Sequence, residues 1–446
     1  MKRRTFARVA TLALVGSLAL AGCGSDSDDD NANDDPGTSA SDTGADTSAD
    51  GSGKQLYFVD GNTSDYSESF DQGTLEGVRA TYPGAELADD FRERLLGIDP
   101  DLKDFTYGPE SYDAVIVSAL AAVAAKSDDG KAIASKMVEV SREGEKCTDF
   151  KTCVDLLNDG TDIDYDGASG PIDFGATGSP TAATIGIFQY GADNTFAPQD
   201  YITGNIPDDG EVAPDQEVGA PGKGDGKLVI GTLLPQSGDL AFLGPPEFAG
   251  VGLAIKEIND AGGVNGQKVT RTDADSGDGT PLIAPSETDK LLRAGADVIV
   301  GAASSSVSLS VIDRITNAGV VMISPANTST AFDTYADKGL YFRTAPSDVL
   351  QGQVMASTII GDGHQTVAIL ARQEAYGEAL ANNVKKFYEE SGGSVVSLKL
   401  YDPNAATFTT EVNDIKAQDP EAIVVIAFDE TKKIIPELVK AGIGQN

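Results

Sequence analysis

From residue 227 onward the chain alternates between two hydrophobic periods, and that alternation constrains the fold more than any other feature. Residues 228–234 form a short, largely apolar run, and Pro245-Pro246 then opens a stretch with Phe248, Val251, Ile255 and Ile258 on one helical face. Proline in the first turn and Gly262-Gly263 at the end are the punctuation of a helix. Further strands are expected at 298–301, 320–323, 367–370, 395–400 and 423–428, each followed by a helical stretch. Val and Ile fall on both faces of these runs, as strands covered by helices on either side of a parallel sheet require. The fold expected is therefore α/β, of doubly wound type. Two places break the pattern. Residues 430–440 read as a helix stopped by Gly442-Ile443-Gly444, with no strand after it, while 56–59 read as a strand with no helix before it. Between these blocks, residues 207–226 carry six acids, one Lys, three Pro and five Gly, the composition of a linker.

Charge and composition exclude several functions. Seventy acidic against 33 basic residues leave a net charge of −37, so repulsion between polyanions argues against a nucleic-acid partner. The single histidine, His364, rules out a His-rich metal centre and leaves any Ser-His or Cys-His catalyst dependent on that one side chain. A length of 446 residues, at about 100 to 200 per domain, would allow two or three domains.

The amino terminus reads as a leader. Lys2, Arg3, Arg4 and Arg8 precede a short apolar run, 9–20, which ends in Leu20-Ala21-Gly22-Cys23. That run is too short to cross about 30 Å of hydrocarbon with margin, and small residues at its end suit a signal peptidase. The Leu-Ala-Gly-Cys string resembles the bacterial lipoprotein box. The resemblance implies removal of 1–22, acylation of Cys23, and anchoring at the extracytoplasmic face of the membrane. Residues 23–53, with nine Asp and no Lys or Arg, are expected to be a disordered acidic tether. With Cys23 lipidated, Cys147 and Cys153 remain as the pair for a local disulfide.

Two strings look like calcium loops. Asp162-Ile163-Asp164-Tyr165-Asp166-Gly167 opens like an EF-hand, but its twelfth position is Asp173 rather than Glu. Asp273-Ala274-Asp275-Ser276-Gly277-Asp278-Gly279 lacks the acid at that position altogether and reads as a turn after a strand. No metal and no cofactor are expected.

Leu234-Pro235-Gln236-Ser237-Gly238, Gly244, Glu257-Ile258-Asn259 and Gly262-Gly263-Val264-Asn265-Gly266 resemble the start of type 1 periplasmic solute-binding proteins, most of all the leucine/isoleucine/valine-binding branch. Ser304-Ser305-Ser306, Ile323-Ser324-Pro325-Ala326-Asn327-Thr328 and Tyr376-Gly377 follow in the family's order. The resemblance covers 54–206 and 227–446, but the family's order is recovered only when 227–446 is read first and 54–206 second. A circular permutation is therefore expected.

The resemblance implies two α/β lobes joined by three hinge crossovers, with ligand between them. Lobe 1 would comprise 227–343 and 83–182, and lobe 2 would comprise 344–446, 54–82 and a closing strand in 183–206. It also implies ligand contacts: Ser305 and Thr328 for a carboxylate, the carbonyl of Ala326 and the acid Asp60 for an ammonium, and Tyr376 closing from the opposite lobe. Phe428 and Leu243 stand where the family often has Tyr and Trp, and Asp60 where it commonly has Glu. The function implied is capture of a small amino acid, branched-chain or otherwise aliphatic, by a monomer. It would deliver that ligand to a membrane ABC permease and its ATPase. Alternatives on the same fold are a sensory receptor domain or a binder of urea, short amides or aromatic acids. A hydrolase using a cleft serine is disfavoured, since no base stands near Ser305 in sequence and His364 lies on another strand unit.

Overall fold

Two large sheets, one parallel and one mainly parallel, each packed between helices, organise the chain in a computed structural model that describes residues 53–206 and 218–445. The expected leader, Cys23 and nearly all of the tether lie outside the described residues. In chain order the strands are β1 (Gln55–Phe58), β2 (Arg79–Pro83), β3 (Glu145–Cys147), β4 (Ile163–Gly167), β5 (Gly170–Pro171), β6 (Ala182–Tyr190) and β7 (Phe196–Asn205). After residue 226 come β8 (Val229–Leu234), β9 (Thr270–Asp275), β10 (Val298–Gly301), β11 (Val321–Ser324), β12 (Tyr341–Arg343), β13 (Thr366–Arg372), β14 (Ser394–Tyr401) and β15 (Ala422–Ile426).

The first sheet has five strands in the order β12-β11-β10-β8-β9, all parallel. Successive residues of β10 point to opposite cores. Val298 and Val300 pack with Ile116 and Leu120 of the helix Gly108–Ala125, whereas Ile299 packs with Val311 and Ile315 of the helix Ser305–Asn317. That period-two burial on both faces is why the strand is apolar throughout. A small sheet, β3-β4-β5, joins the first of these cores, and a Cys147–Cys153 disulfide ties β3 to the helix Phe150–Asn158.

The second sheet has seven strands in the order β14-β13-β15-β1-β2-β6-β7. Its first five are parallel, and β6 and β7 add an antiparallel hairpin at the edge. Counted from β8, the first sheet has the doubly wound order 2-1-3-4-5. The second has the same order only when β13, β14 and β15 are counted before β1 and β2. The helix Thr431–Ala441 follows β15 where a crossover between parallel neighbours would need one. The segment leading into β1 then meets the segment after the helix Thr431–Ala441: the Lys54 amide donates to the Gly444 carbonyl at 2.9 Å, and the Leu56 amide donates to Gln445 Oε1 at 2.7 Å.

Of the expected linker, residues 218–226 are described, and they run into β8 through an anchor. Asp128 Oδ2 accepts from the amides of Asp225, Gly226 and Lys227 at 3.0, 2.8 and 2.9 Å. Among the described residues no helix is long and apolar enough to cross a membrane.

Candidate functional site

Segments that follow β8, β10 and β11 of one sheet and β1, β13 and β15 of the other converge on one interlobar pocket, and local features shape several of them. Gly301 closes β10 at φ +123°, where a Cβ would lie 2.1 Å from the Leu233 carbonyl oxygen, so only glycine fits. The turn that follows is held by side chains beneath it. Ser324 Oγ donates to the Ala302 carbonyl at 2.7 Å, and Asn327 Nδ2 donates to the carbonyls of Ala302 and Ala303 at 3.1 and 2.8 Å.

The three serines then divide their work. Ser304 is the N-cap, accepting from the Val307 amide at 3.4 Å. Ser305 begins the helix, lines the pocket and accepts from the Ser329 amide at 3.4 Å. Ser306 reaches the other lobe, donating to Glu374 Oε2 at 2.6 Å and accepting from the Ala375 amide at 3.1 Å. A helix amino terminus presents backbone amides and the positive end of the helix dipole, both suited to an anion.

From the seven-stranded lobe, Asp60 follows β1 in a short 3-10 turn. Gly61 beside it has no room for a side chain, since a Cβ would lie 2.7 Å from the Ala427 carbonyl oxygen. Asp60 is 4 % exposed and accepts three hydrogen bonds: from Tyr376 Oη at 2.6 Å, Tyr107 Oη at 2.7 Å and Gln351 Nε2 at 2.9 Å. Burial pushes its carboxyl above the ordinary range, and these three donors oppose that rise. The Tyr376 ring stacks on Phe428 with centroids 5.4 Å apart, and the Arg372 guanidinium lies 3.5 Å from the Phe428 centroid. Arg372 is in turn bound to Glu430 at 2.9 Å, so the aromatic pair rests on a buried ion pair.

Asp60, Leu243, Ser305, Ala326, Tyr376 and Phe428 all line this one pocket, together with Gly61, Tyr107, Leu240, Ala303 and Ser304. Thr328 does not line it. Its hydroxyl is buried beside the Asp348 carboxyl, without a hydrogen bond of normal geometry. Tyr107, Leu240 and Gln351 were not singled out from sequence. For Tyr107 a signal exists, because Gly108-Pro109 marks a helix start and Tyr107 occupies its N-cap in the left-handed region, at φ 58°. A bulky side chain there is strained, by about 1–3 kcal/mol.

The enclosed space is about 20 Å³, enough for roughly one water molecule. The two lobes meet across it through Tyr107–Asp60, Ser306–Glu374 and Ser329 Oγ donating to the Ala375 carbonyl at 2.8 Å. Any larger ligand therefore has to enter with the lobes apart.

Among the described residues no group of three or more His, Cys, Asp or Glu is placed to hold a metal ion. Asp164 and Asp166 of the first calcium-like string each lie 2.9 Å from Lys146 Nζ, and Asp164 falls within β4. Asp273 and Asp275 belong to β9.

Two doubly wound lobes closing on a pocket lined from both sides are the architecture of the type 1 periplasmic-binding-protein fold. A family model described as periplasmic binding protein matches residues 227–446. The Leu/Ile/Val-binding protein homolog 3 of Brucella melitensis is 30% identical over 199 residues, covering 44% of this chain and 53% of that protein. The leucine-, isoleucine-, valine-, threonine- and alanine-binding protein of Pseudomonas aeruginosa is 32% identical over 191 residues, covering 42% of this chain and 50% of that protein. A solved structure, the branched-chain amino acid transporter substrate-binding protein LivJ of Streptococcus pneumoniae in complex with isoleucine, is 26% identical. It matches 45% of this chain and 56% of its own, with a TM-score of 0.40. The chain spans about half the length of the curated relatives it matches. Residues 227–446 thus match the periplasmic binding protein family and are similar in sequence to leucine/isoleucine/valine-binding members of it.

Proposed function

We propose that the chain is a lipid-anchored extracytoplasmic solute-binding protein. It would capture a small aliphatic amino acid, branched-chain by preference, and deliver it as a monomer to an ABC permease and its ATPase. One observation carries this reading: a buried carboxylate from one lobe and a helix amino terminus from the other converge on a single pocket with apolar walls. Asp60 offers a charge-assisted contact to an ammonium group. The first turn of the helix Ser305–Asn317, with the Ser305 hydroxyl, offers donors to a carboxylate. Leu240, Leu243 and the Phe428 ring supply the apolar surface for an aliphatic side chain. The ligand's ammonium would take the place of the Tyr107 hydroxyl on Asp60, so ligand and Tyr107 compete for one acceptor. Thr328 is kept as a carboxylate contact only in an opened cleft, where its hydroxyl could turn from Asp348.

The domain reading joins this proposal. The strand order of the seven-stranded sheet and the meeting of Lys54 with Gly444 support a circular permutation, with residues 207–226 as the joining linker. Lipid anchoring rests on the Leu20-Ala21-Gly22-Cys23 string alone.

A thermal-shift panel on the protein lacking its leader tests the ligand class. Leucine, isoleucine and valine are each expected to raise the melting temperature, since a ligand at a hundredfold its Kd stabilises the fold by about 2.7 kcal/mol. A shift with only aromatic acids or urea, and none with aliphatic amino acids, would sink the assignment.

A further inference from the structure

A second cavity, of about 580 Å³, opens between the lobes next to the closed pocket. The two are linked through a hydrogen bond of 2.6 Å from the Tyr107 amide to the Tyr82 hydroxyl, since Tyr107 lines the first and Tyr82 the second. One wall is aromatic. Phe188 meets Tyr82 and Tyr201 ring to ring, with centroids 6.2 and 6.1 Å apart, and Phe105 and Phe242 line the side nearer the five-stranded lobe. All of these rings except Phe188 are only half-buried, so aromatic surface is left uncovered within a concave site.

The remaining lining is acidic. Five acids stand against two bases, Arg92 and Lys103, and Arg92 lies over the Phe105 ring, 4.6 Å from its centroid. Glu110, in the first turn of the helix Gly108–Ala125, is 2 % exposed and lines the cavity, and its Oε2 has no hydrogen-bond partner. A buried carboxyl oxygen left without a donor beside a roomy cavity is costly unless a partner arrives. Nothing in the proposed capture of an amino acid uses it.

We propose that this cavity is a second ligand site, and that it takes an organic ammonium ion carried on an apolar or aryl body. The ring faces attract the cation and cover its body, and Glu110 supplies the counter-charge. Burial, with Asp113 nearby, pushes the Glu110 carboxyl up to about 8, so at neutral pH a cation seated beside it displaces the carboxyl proton to solvent.

Calorimetric titration of the full chain with phenethylammonium, in saturating leucine, tests this. Saturable binding is expected, with heats that differ between buffers because a proton is released, and with none from phenylacetate, which carries the opposite charge. Glu110→Gln should weaken phenethylammonium by about tenfold or more and leave leucine binding unchanged. Tyr201→Ala, at a half-buried position of β7, should weaken it as well. The proposal is overturned by an absence of saturable binding, by equal binding of phenylacetate, by displacement with leucine, or by unchanged affinity in both variants. Phenethylammonium binding without leucine binding would support this site while removing the amino-acid reading of the first.

Discussion

Asp60 holds three protein donors in a space too small for a ligand, so the first consequence at the residue scale concerns Tyr107. Its hydroxyl ties the five-stranded lobe to the Asp60 carboxylate of the other lobe, which favours closure and, in the proposed binding mode, competes with a ligand ammonium. Tyr107→Phe is expected to tighten amino-acid binding by about 1 kcal/mol, measured by calorimetry, and to expand the free protein in small-angle scattering. Ser305→Ala should act the other way, weakening binding by about 1–3 kcal/mol with little change in stability. Six of the seven ligand residues expected from sequence share this pocket because short motifs after strands mark loop positions well. Tyr107, Gln351 and Leu240 escaped because their roles arise from pairing across the lobes, which no local pattern records. Buried carboxyls add a pH signature. Burial foremost pushes Glu110 to about 8 and Asp297 to about 7. An unfolded carboxyl titrates near about 4, so in between the folded chain holds protons that the unfolded chain has released. Stability must then fall as pH rises through that window. The urea midpoint should be lower at about pH 8.5 than at about pH 6, and Glu110→Gln should narrow the difference.

Helix punctuation and apolar runs explain why many elements could be read before any coordinates. The runs at 298–301, 320–323, 367–370 and 395–400 correspond to β10, β11, β13 and β14 within a residue or two; β10, β11 and β13 are buried parallel strands and so apolar on both faces, whereas β14 is a half-buried edge strand. The run at 423–428 overshoots β15, which ends at Ile426; Ala427 and Phe428 already belong to the loop that brings the ring to the site. β7 was not legible, since its outward residues are polar and exposed, as an edge strand permits. β9 was hidden by its acids, which made Asp273 and Asp275 look like a turn. The serine cluster was legible as a helix start, but only the structure separates Ser304 as cap from Ser305 in the pocket. Ser304→Ala is therefore expected to cost about 1 kcal/mol in chemical denaturation.

At the scale of the whole molecule, the strand order ties the two halves of the chain together. β1 pairs in parallel with both β15 and β2, so the amino-terminal segment fills the middle of a sheet begun by the carboxyl-terminal one. The proposed permuted arrangement predicts that proteolysis within 207–226 leaves two fragments that co-elute and still bind ligand. Fragments that separate at once would speak against the permuted arrangement.

The central claim, that one interlobar pocket holds an aliphatic amino acid between Asp60 and the serine-capped helix, is met most directly by calorimetric titration with leucine of the unaltered protein and of Asp60→Asn. Saturable one-to-one binding in the unaltered protein, weakened by about tenfold or more in the variant, is the expected result. Equal leucine affinity in the two proteins, or no binding of leucine, isoleucine or valine by the folded unaltered protein, would contradict it.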